Sequence, residues 1–189
     1  VAARTGELSV ANRELERLAS LDGLTQIPNR RSFDEALRAA WADHRRRGAA
    51  LAVALADVDF FKLYNDSCGH PEGDRALIAI AQALRGCLRR ETDLAARYGG
   101  EEMVLLLRDS DAAGAARVAG EALDRVRALK LPHPSSAAAP FVTLSIGIAA
   151  MIPGEGSDAA DLLARADQAL YRAKAAGRNR VVLDEGGPA

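Results

Sequence analysis

Residues Arg97-Tyr98-Gly99-Gly100-Glu101-Glu102-Met103 constrain this chain more than any other stretch, because apolar runs flank them, Leu94 to Ala96 before and Val104 to Leu107 after. Two adjacent glycines between short apolar segments predict a hairpin turn. The turn carries two consecutive carboxylates, which repel each other and gain nothing from a core, so a hairpin that presents them at its tip needs a reason. A divalent cation is the usual reason.

The rest of the chain limits what that turn can belong to. With 189 residues, 49% of them hydrophobic, there is enough for one domain with its own core plus a short appendage. A formal charge of -1, from 25 Lys+Arg against 26 Asp+Glu, leaves no electrostatic footprint for a nucleic acid polymer, so any phosphate binding must be local. No window approaches the roughly 18 apolar residues of a membrane span, and Val1-Ala2-Ala3-Arg4 lacks a signal peptide's apolar core. The expectation is a cytoplasmic piece without membrane contact of its own. Cys68 and Cys87 have neither the number nor the spacing of a disulfide framework or zinc site, and Cys87 reads as buried filler.

Leu8, Ala11, Leu15 and Leu18 fall on an a/d spacing with charged residues around them. Residues 1–21 therefore read as the end of a helical stalk, either a coiled coil or an ordinary amphipathic lead-in helix. The start without Met suggests a fragment whose upstream domain, a sensory one that could attach the full-length protein to a membrane, is missing. The expected division is a stalk at 1–21, a domain at 22–185 and a disordered tail at 186–189.

Asp22 to Arg31 is a loop by its Gly and Pro, with Asn29 placed to cap a helix over Arg30 to Arg47 that turns Phe33, Leu37, Ala40 and Trp41 inward. Its end, His44-Arg45-Arg46-Arg47, suits the negative end of the helix dipole and reads as a solvated helix end. Leu51 to Ala56 is apolar without alternation, as in a strand covered on both faces, and leads into Asp57-Val58-Asp59-Phe60-Phe61-Lys62. Asn65 to Asp74 reads as a long polar turn before a helix from about Arg75 to Arg89. Further helices are expected over Asp111 to Leu129 and Asp158 to Ala176, and strands over Phe141 to Ala149 and Val181 to Leu183. A flexible loop without chemistry is expected from Leu131 to Pro140. The fold class is α+β, a mixed sheet of four or five strands with helices on its faces.

If the strands ending at Asp57 and turning at Glu101 are neighbours, these two acids converge, the minimum for Mg²⁺. Neither a Walker nor a Rossmann phosphate cradle occurs, so phosphates fall to metal and side chains: Lys62, and the pair Lys174 and Arg178, read as one helical turn apart at the end of the last helix. Singly, each of these cations also fits a plain surface residue.

The motifs together resemble a known family. D-x-L-T-x-x-x-N-R-R at Asp22 to Arg31, D-x-D-x-F-K-x-x-N-D at Asp57 to Asp66, G-H-x-x-G-D at Gly69 to Asp74, G-G-E-E at Gly99 to Glu102, S-I-G at Ser145 to Gly147 and A-D-x-A-L-Y-x-A-K-x-x-G-R-N at Ala166 to Asn179 resemble the GGDEF domain, the diguanylate cyclase module. The resemblance implies a palm-like nucleotidyl cyclase fold that joins two GTP molecules into cyclic di-GMP with release of pyrophosphate. By position it implies Mg²⁺ or Mn²⁺ held by Asp57, the Val58 carbonyl and Glu101. Glu102 would complete that site or help remove the proton of the attacking 3′-hydroxyl. Asn65 and Asp74 would read guanine, Lys62, Lys174 and Arg178 would hold the phosphates, and Gly99 and Gly100 would also bind the substrate.

Arg90-Glu91-Thr92-Asp93 fits the family's R-x-x-D inhibitory site for the product, although an Arg and an Asp three apart also suit a local ion pair. Met103 stands where the family signature ends in Phe, and an alternating strand points that side chain away from the phosphates. Because each domain holds one GTP, the reaction needs a homodimer, which the N-terminal helix would raise in effective concentration. Three alternatives stay open at this point: a catalytically inactive receptor for cyclic di-GMP or GTP, a structural dimerisation module, and an enzyme of mixed base selectivity. The histidines add little: His70 reads as loop-shaping, His133 as part of the variable loop, His44 as part of the basic helix end.

Overall fold

A computed structural model describes residues 20–184, so the stalk heptads and the expected tail lie outside the described residues. The elements are α1 (Arg30–Arg47), β1 (Leu51–Val58), α2 (Phe61–Cys68), α3 (His70–Arg85), β2 (Leu94–Gly99), β3 (Glu102–Arg108), α4 (Ala112–Ala128), β4 (Leu144–Met151), α5 (Ala159–Ala175) and β5 (Arg180–Leu183).

The sheet order is β2-β3-β1-β4-β5. β1 lies at the centre, antiparallel to both β3 and β4, while β5 runs parallel to β4, which makes the sheet mixed. The unbroken apolar run of β1 follows from burial on both faces. Ala52, Ala54 and Ala56 pack with Ile80 and Leu84 of α3 and Ala119 and Leu123 of α4. Leu51, Val53 and Leu55 pack with Phe33, Leu37 and Trp41 of α1 and Leu162 and Leu170 of α5. Gly147 in the centre of β4 is a contact requirement, because a Cβ there would run into the backbone of Ala166 and Leu170 on α5.

α1 runs as the sequence predicts, capped by Asn29 accepting from the Ser32 N–H and ended at Gly48 (φ 62°). Three expectations need correction. His44 is not part of a solvated helix end: it is 1% exposed. Its Nδ1 donates to the Ala40 carbonyl at 2.8 Å and its Nε2 accepts from the Asp109 N–H at 3.1 Å.

The expected polar turn from Asn65 to Asp74 is mostly helical, with Gly69 (φ 89°) alone between α2 and α3, so α3 starts at His70 rather than Arg75. Pro71 was the misleading signal, since it sits in the first turn of α3, where a missing N–H costs nothing.

The Leu131 to Pro140 loop is tied down. The Val142 N–H donates to the Leu131 carbonyl at 2.8 Å and the His133 N–H to the Pro140 carbonyl at 3.0 Å. The His133 imidazole is buried edge-on against Tyr64, with ring centroids 5.2 Å apart.

Candidate active site

The hairpin turns at Gly100 and Glu101, with Gly99 paired to Glu102 and a register shift between Arg97 and Gly99. Neither glycine takes the left-handed conformation that a two-residue Gly-Gly turn suggests. The turn is clamped instead by Arg97, whose Nε and Nη2 donate to the Gly100 carbonyl at 3.0 and 2.7 Å. Arg97 Nη1 reaches Asp22 Oδ1 at 3.0 Å. Asp22 also accepts from the Thr25 N–H at 2.8 Å and the Thr25 hydroxyl at 2.7 Å. Burial raises the Asp22 pKa, but the Thr25 bonds and the Arg97 charge outweigh it and hold the carboxyl below its usual range.

Across β1 and β3, Asp57 stands opposite Glu102, and the Val58 N–H donates to the Glu101 carbonyl at 3.4 Å. The sequence expectation that Asp57 meets the hairpin acids therefore holds in the sheet register. Met103, one residue on, is fully buried in the core on the α3 and α4 side. Lys174 on α5 places Nζ 2.9 Å from Asp57 Oδ2. Burial pushes the Asp57 carboxyl up, the Lys174 hydrogen bond and charge pull it down, and the negative charges of Glu101 and Glu102 push it up again, leaving it raised.

Among the described residues no three His, Cys, Asp or Glu side chains are arranged round a point that could hold a metal ion. The donor chemistry nevertheless suits Mg²⁺: carboxylate oxygens and a strand-end carbonyl, with uncompensated negative charge that Lys174 partly offsets.

Asn65 lies on α2 and Asp74 in the first turns of α3. Gly73 lets the two helices meet, because a Cβ there would overlap the Asn65 side-chain amide. Asn65 Oδ1 is buried without a hydrogen-bond partner, while Asp74, next to Gly73 on α3, is exposed. That orphan acceptor suits an incoming N–H donor. Lys62 is exposed on the first turn of α2.

The pairing of Lys174 and Arg178 on one helix needs correction. α5 ends at Ala175, and Arg178 (φ 63°) sits in the turn beyond it with its guanidinium 4.3 Å from the centre of the Phe60 ring. The helix stops early because Gly177 (φ 108°) reverses the chain.

Sequence reasoning passed over Asp59, which is 1% exposed. It accepts from Ser145 Oγ at 2.6 Å, Thr143 Oγ1 at 2.7 Å and the Asn179 N–H at 3.0 Å. The D-x-D, S-I-G and G-R-N motifs contain three of these residues, so the signal was present without a partner assignment. Arg127, which binds Asn179, carried no sequence signal at all.

Arg90 and Asp93 lie elsewhere, at the far end of β3. Arg90 Nη1 donates to the Arg108 and Asp109 carbonyls at 2.6 and 3.0 Å, and Asp93 Oδ1 accepts from the Arg108 N–H at 2.9 Å. Both line a cavity of about 480 Å³ together with Arg89, Arg117 and Glu121. Burial raises the Asp93 pKa despite the Arg108 bond and the nearby Arg90 charge.

The mixed sheet with helices on both faces matches solved structures across most of the chain. The coiled coil and GGDEF domain of DgcB from Caulobacter crescentus, solved with c-di-GMP, superposes with a TM-score of 0.86 at 31% identity over 96% of this chain and 94% of that one. The active GGEEF domain of a diguanylate cyclase from Vibrio cholerae gives 0.73 at 31% identity, over 86% of this chain and 100% of that one. The fold is thus the palm-like nucleotidyl cyclase fold. The family model "Diguanylate cyclase, GGDEF domain" matches residues 19–180, and the chain belongs to that family.

Among curated relatives, the bifunctional diguanylate cyclase/cyclic di-GMP phosphodiesterase MucR of Pseudomonas aeruginosa is 40% identical over 172 residues, 91% of this chain. The chain spans 24% of the length of MucR and 46% of that of the probable diguanylate cyclase DgcC of Escherichia coli. No helix among the described residues is long and apolar enough to cross a membrane.

Proposed function

We propose that this chain is the catalytic domain of a diguanylate cyclase, condensing two GTP into cyclic di-GMP with release of pyrophosphate, in the cytoplasm and as a homodimer brought together by its N-terminal helix. The observation that carries this reading is Lys174 seated on Asp57 at the end of β1, opposite Glu102 and beside the Glu101 turn. A group of half-buried acids with a single lysine against it would have no use in a purely structural module, and a cation-dependent phosphoryl site explains it.

Asp57, the Val58 carbonyl and Glu101 are the groups that would hold Mg²⁺ or Mn²⁺, which when bound would stabilise charge on the α-phosphate and lower the pKa of the nucleophile. Glu102, opposite Asp57 in the sheet, would join that set or accept the 3′-hydroxyl proton. Lys174 has a second use: once its partner carboxylate is otherwise neutralised, its ammonium is free to turn to phosphate oxygens, with Lys62 and Arg178 as further cations. Gly100 leaves open backbone for the phosphates to approach, Gly99 lies against the Glu102 carboxylate, and Asn65 and Asp74 supply an acceptor pair for guanine's N–H groups. Arg90 and Asp93 form the product site, so accumulated cyclic di-GMP holds the domains in a non-productive arrangement.

The test is to strip bound nucleotide from the chain, incubate it with GTP and Mg²⁺, and separate the products, with Glu101→Gln as the matched control. Cyclic di-GMP from the unmodified chain alone supports the reading. Absence of product at high protein concentration or in a forced dimer, with cyclic di-GMP still bound, would leave a receptor.

A further inference from the structure

The turn that carries Arg178 is conformationally costly and heavily braced, and the brace begins at a residue outside every motif of the site. Gly177, Arg178 and Asn179 follow one another at φ 108°, 63° and 50°. Gly and Asn tolerate that region, but a long side chain such as Arg does not choose it. A plain helix end needs one left-handed residue, not three.

We propose that Arg127, acting through Asn179, is a positioning residue that sets Arg178 for the nucleotide's phosphates, with Asp59 fixing the same turn to the metal-binding strand end. The proposal rests on the reading of Arg178 as a phosphate ligand.

Arg127, on α4, grips Asn179 with two donors: Nε to Oδ1 and Nη2 to the backbone carbonyl, both at 2.8 Å. The remaining backbone group of Asn179, its N–H, goes to Asp59 Oδ2 at 3.0 Å. Asp59 is itself immobilised by Thr143 and Ser145 of the neighbouring strand region and lies two residues beyond Asp57. The backbone on either side of Arg178 is pinned as well, its own N–H to the Ala173 carbonyl at 3.0 Å and its carbonyl to Arg180 Nε at 3.0 Å.

The guanidinium then has one resting place, over the Phe60 ring, whose own backbone is left-handed at φ 55° and whose carbonyl accepts from His133 Nε2 at 3.2 Å. Two strained residues therefore face each other, Phe60 held through its carbonyl by the buried His133 and Arg178 through the part-buried Arg127 bonds to the adjacent Asn179. Strain fixed in this way costs stability and gains a preset cation, because fewer side-chain states must be frozen when phosphate arrives.

A brace that merely closes the α5–β5 turn would affect folding alone. One that positions Arg178 affects nucleotide affinity only while Arg178 is present. The measurement is a double-mutant cycle on the binding of 3′-deoxy-GTP with Mg²⁺, a nucleotide that lacks the attacking hydroxyl and so stays unreacted. It compares the unmodified chain, Arg127→Leu, Arg178→Ala and the double variant, with thermal midpoints as the record of folding.

Arg127→Leu is expected to weaken binding about 3- to 10-fold in the unmodified background and to have no further effect in Arg178→Ala. Arg127→Lys, which keeps the charge and most of the stem but cannot make both bonds, gives the same comparison should the leucine variant fail to fold. Unchanged affinity in Arg127→Leu, or a loss that adds fully to that of Arg178→Ala, overturns the proposal while leaving Arg178 as a phosphate ligand. Unchanged affinity in Arg178→Ala overturns that reading and the proposal with it.

Discussion

Arg97 and Asp22 meet across 75 residues of sequence, guanidinium Nη1 3.0 Å from carboxylate Oδ1, and the same guanidinium holds the carbonyl at the tip of the acidic hairpin. The loop that leads into the domain is thereby wired to the turn that carries Glu101. Asp22→Asn leaves Arg97 without its counter-charge in a part-buried site and is expected to cost about 1–3 kcal/mol.

The pH dependence has a definite sign. The Asp22 carboxyl is held below its ordinary value of 3.8, so its contribution is fully present above 3.8 and is lost as pH falls through the lower folded value. Urea unfolding of both proteins from pH 7 to pH 2 should show a stability gap that closes only in the acid range. A gap that persists unchanged at pH 2 would count against the ion pair as its source.

Asp57 has the opposite sign. Its pKa is raised by burial and by Glu101 and Glu102, so ionising it opposes folding: this part of the stability is greatest below 3.8 and falls as pH rises through the elevated folded value. Asp57→Asn should flatten that fall. A bound divalent ion should restore stability at neutral pH in the unmodified chain, by about 1.4 kcal/mol at ten times its dissociation constant. Thermal unfolding with and without Mg²⁺ checks both, and an equal Mg²⁺ shift in Asp57→Asn would place the ion elsewhere.

Gly100 separates folding from ligand approach. It is exposed, it is not left-handed, and nothing lies within 4 Å of where its Cβ would be. Gly100→Ala is therefore expected to change stability by no more than about 0.5 kcal/mol. The same methyl group would stand where the proposed function brings phosphates close to the backbone, so nucleotide affinity should fall at least about tenfold, as for a clash worth some 1.4 kcal/mol. Calorimetric titration with 3′-deoxy-GTP, beside a melting curve, reads the two effects separately.

His44 links the α1 end to Arg90 of the proposed product site. Its Nε2 takes the Asp109 N–H, and the Asp109 carbonyl takes Arg90. His44→Ala should cost about 2–4 kcal/mol, from the cavity and the Asp109 N–H left without a partner. It should also weaken cyclic di-GMP binding by loosening the carbonyls that hold Arg90. Unaltered product affinity in a folded His44→Ala chain would show that Arg90 is placed without it.

Local chemistry alone determined a good deal of this protein. The apolar run of β1, the Asn29 cap and Gly48 stop of α1, and the acids flanked by apolar runs at the hairpin are each specified within a few residues, because periodicity, caps and turns are short-range properties. What the tertiary structure decided are the matters that depend on which surfaces meet.

Pro71 and the polar residues around it carried a turn signal, yet packing of α2 on α3 through Gly73 made them helix. His44 looked like a surface residue, and His133, which does lie in a loop, gave no sign of burial, yet each is enclosed by elements distant in sequence. Lys174 and Arg178 share a motif spacing, although the one pairs with Asp57 and the other lies in the turn beyond the helix, next to an Asn179 bonded by Arg127 from α4. Spacing along a chain states which side chains are available near one another, whereas the partner that neutralises a charge or freezes a turn comes from another strand or helix. Only the assembled sheet brings it there.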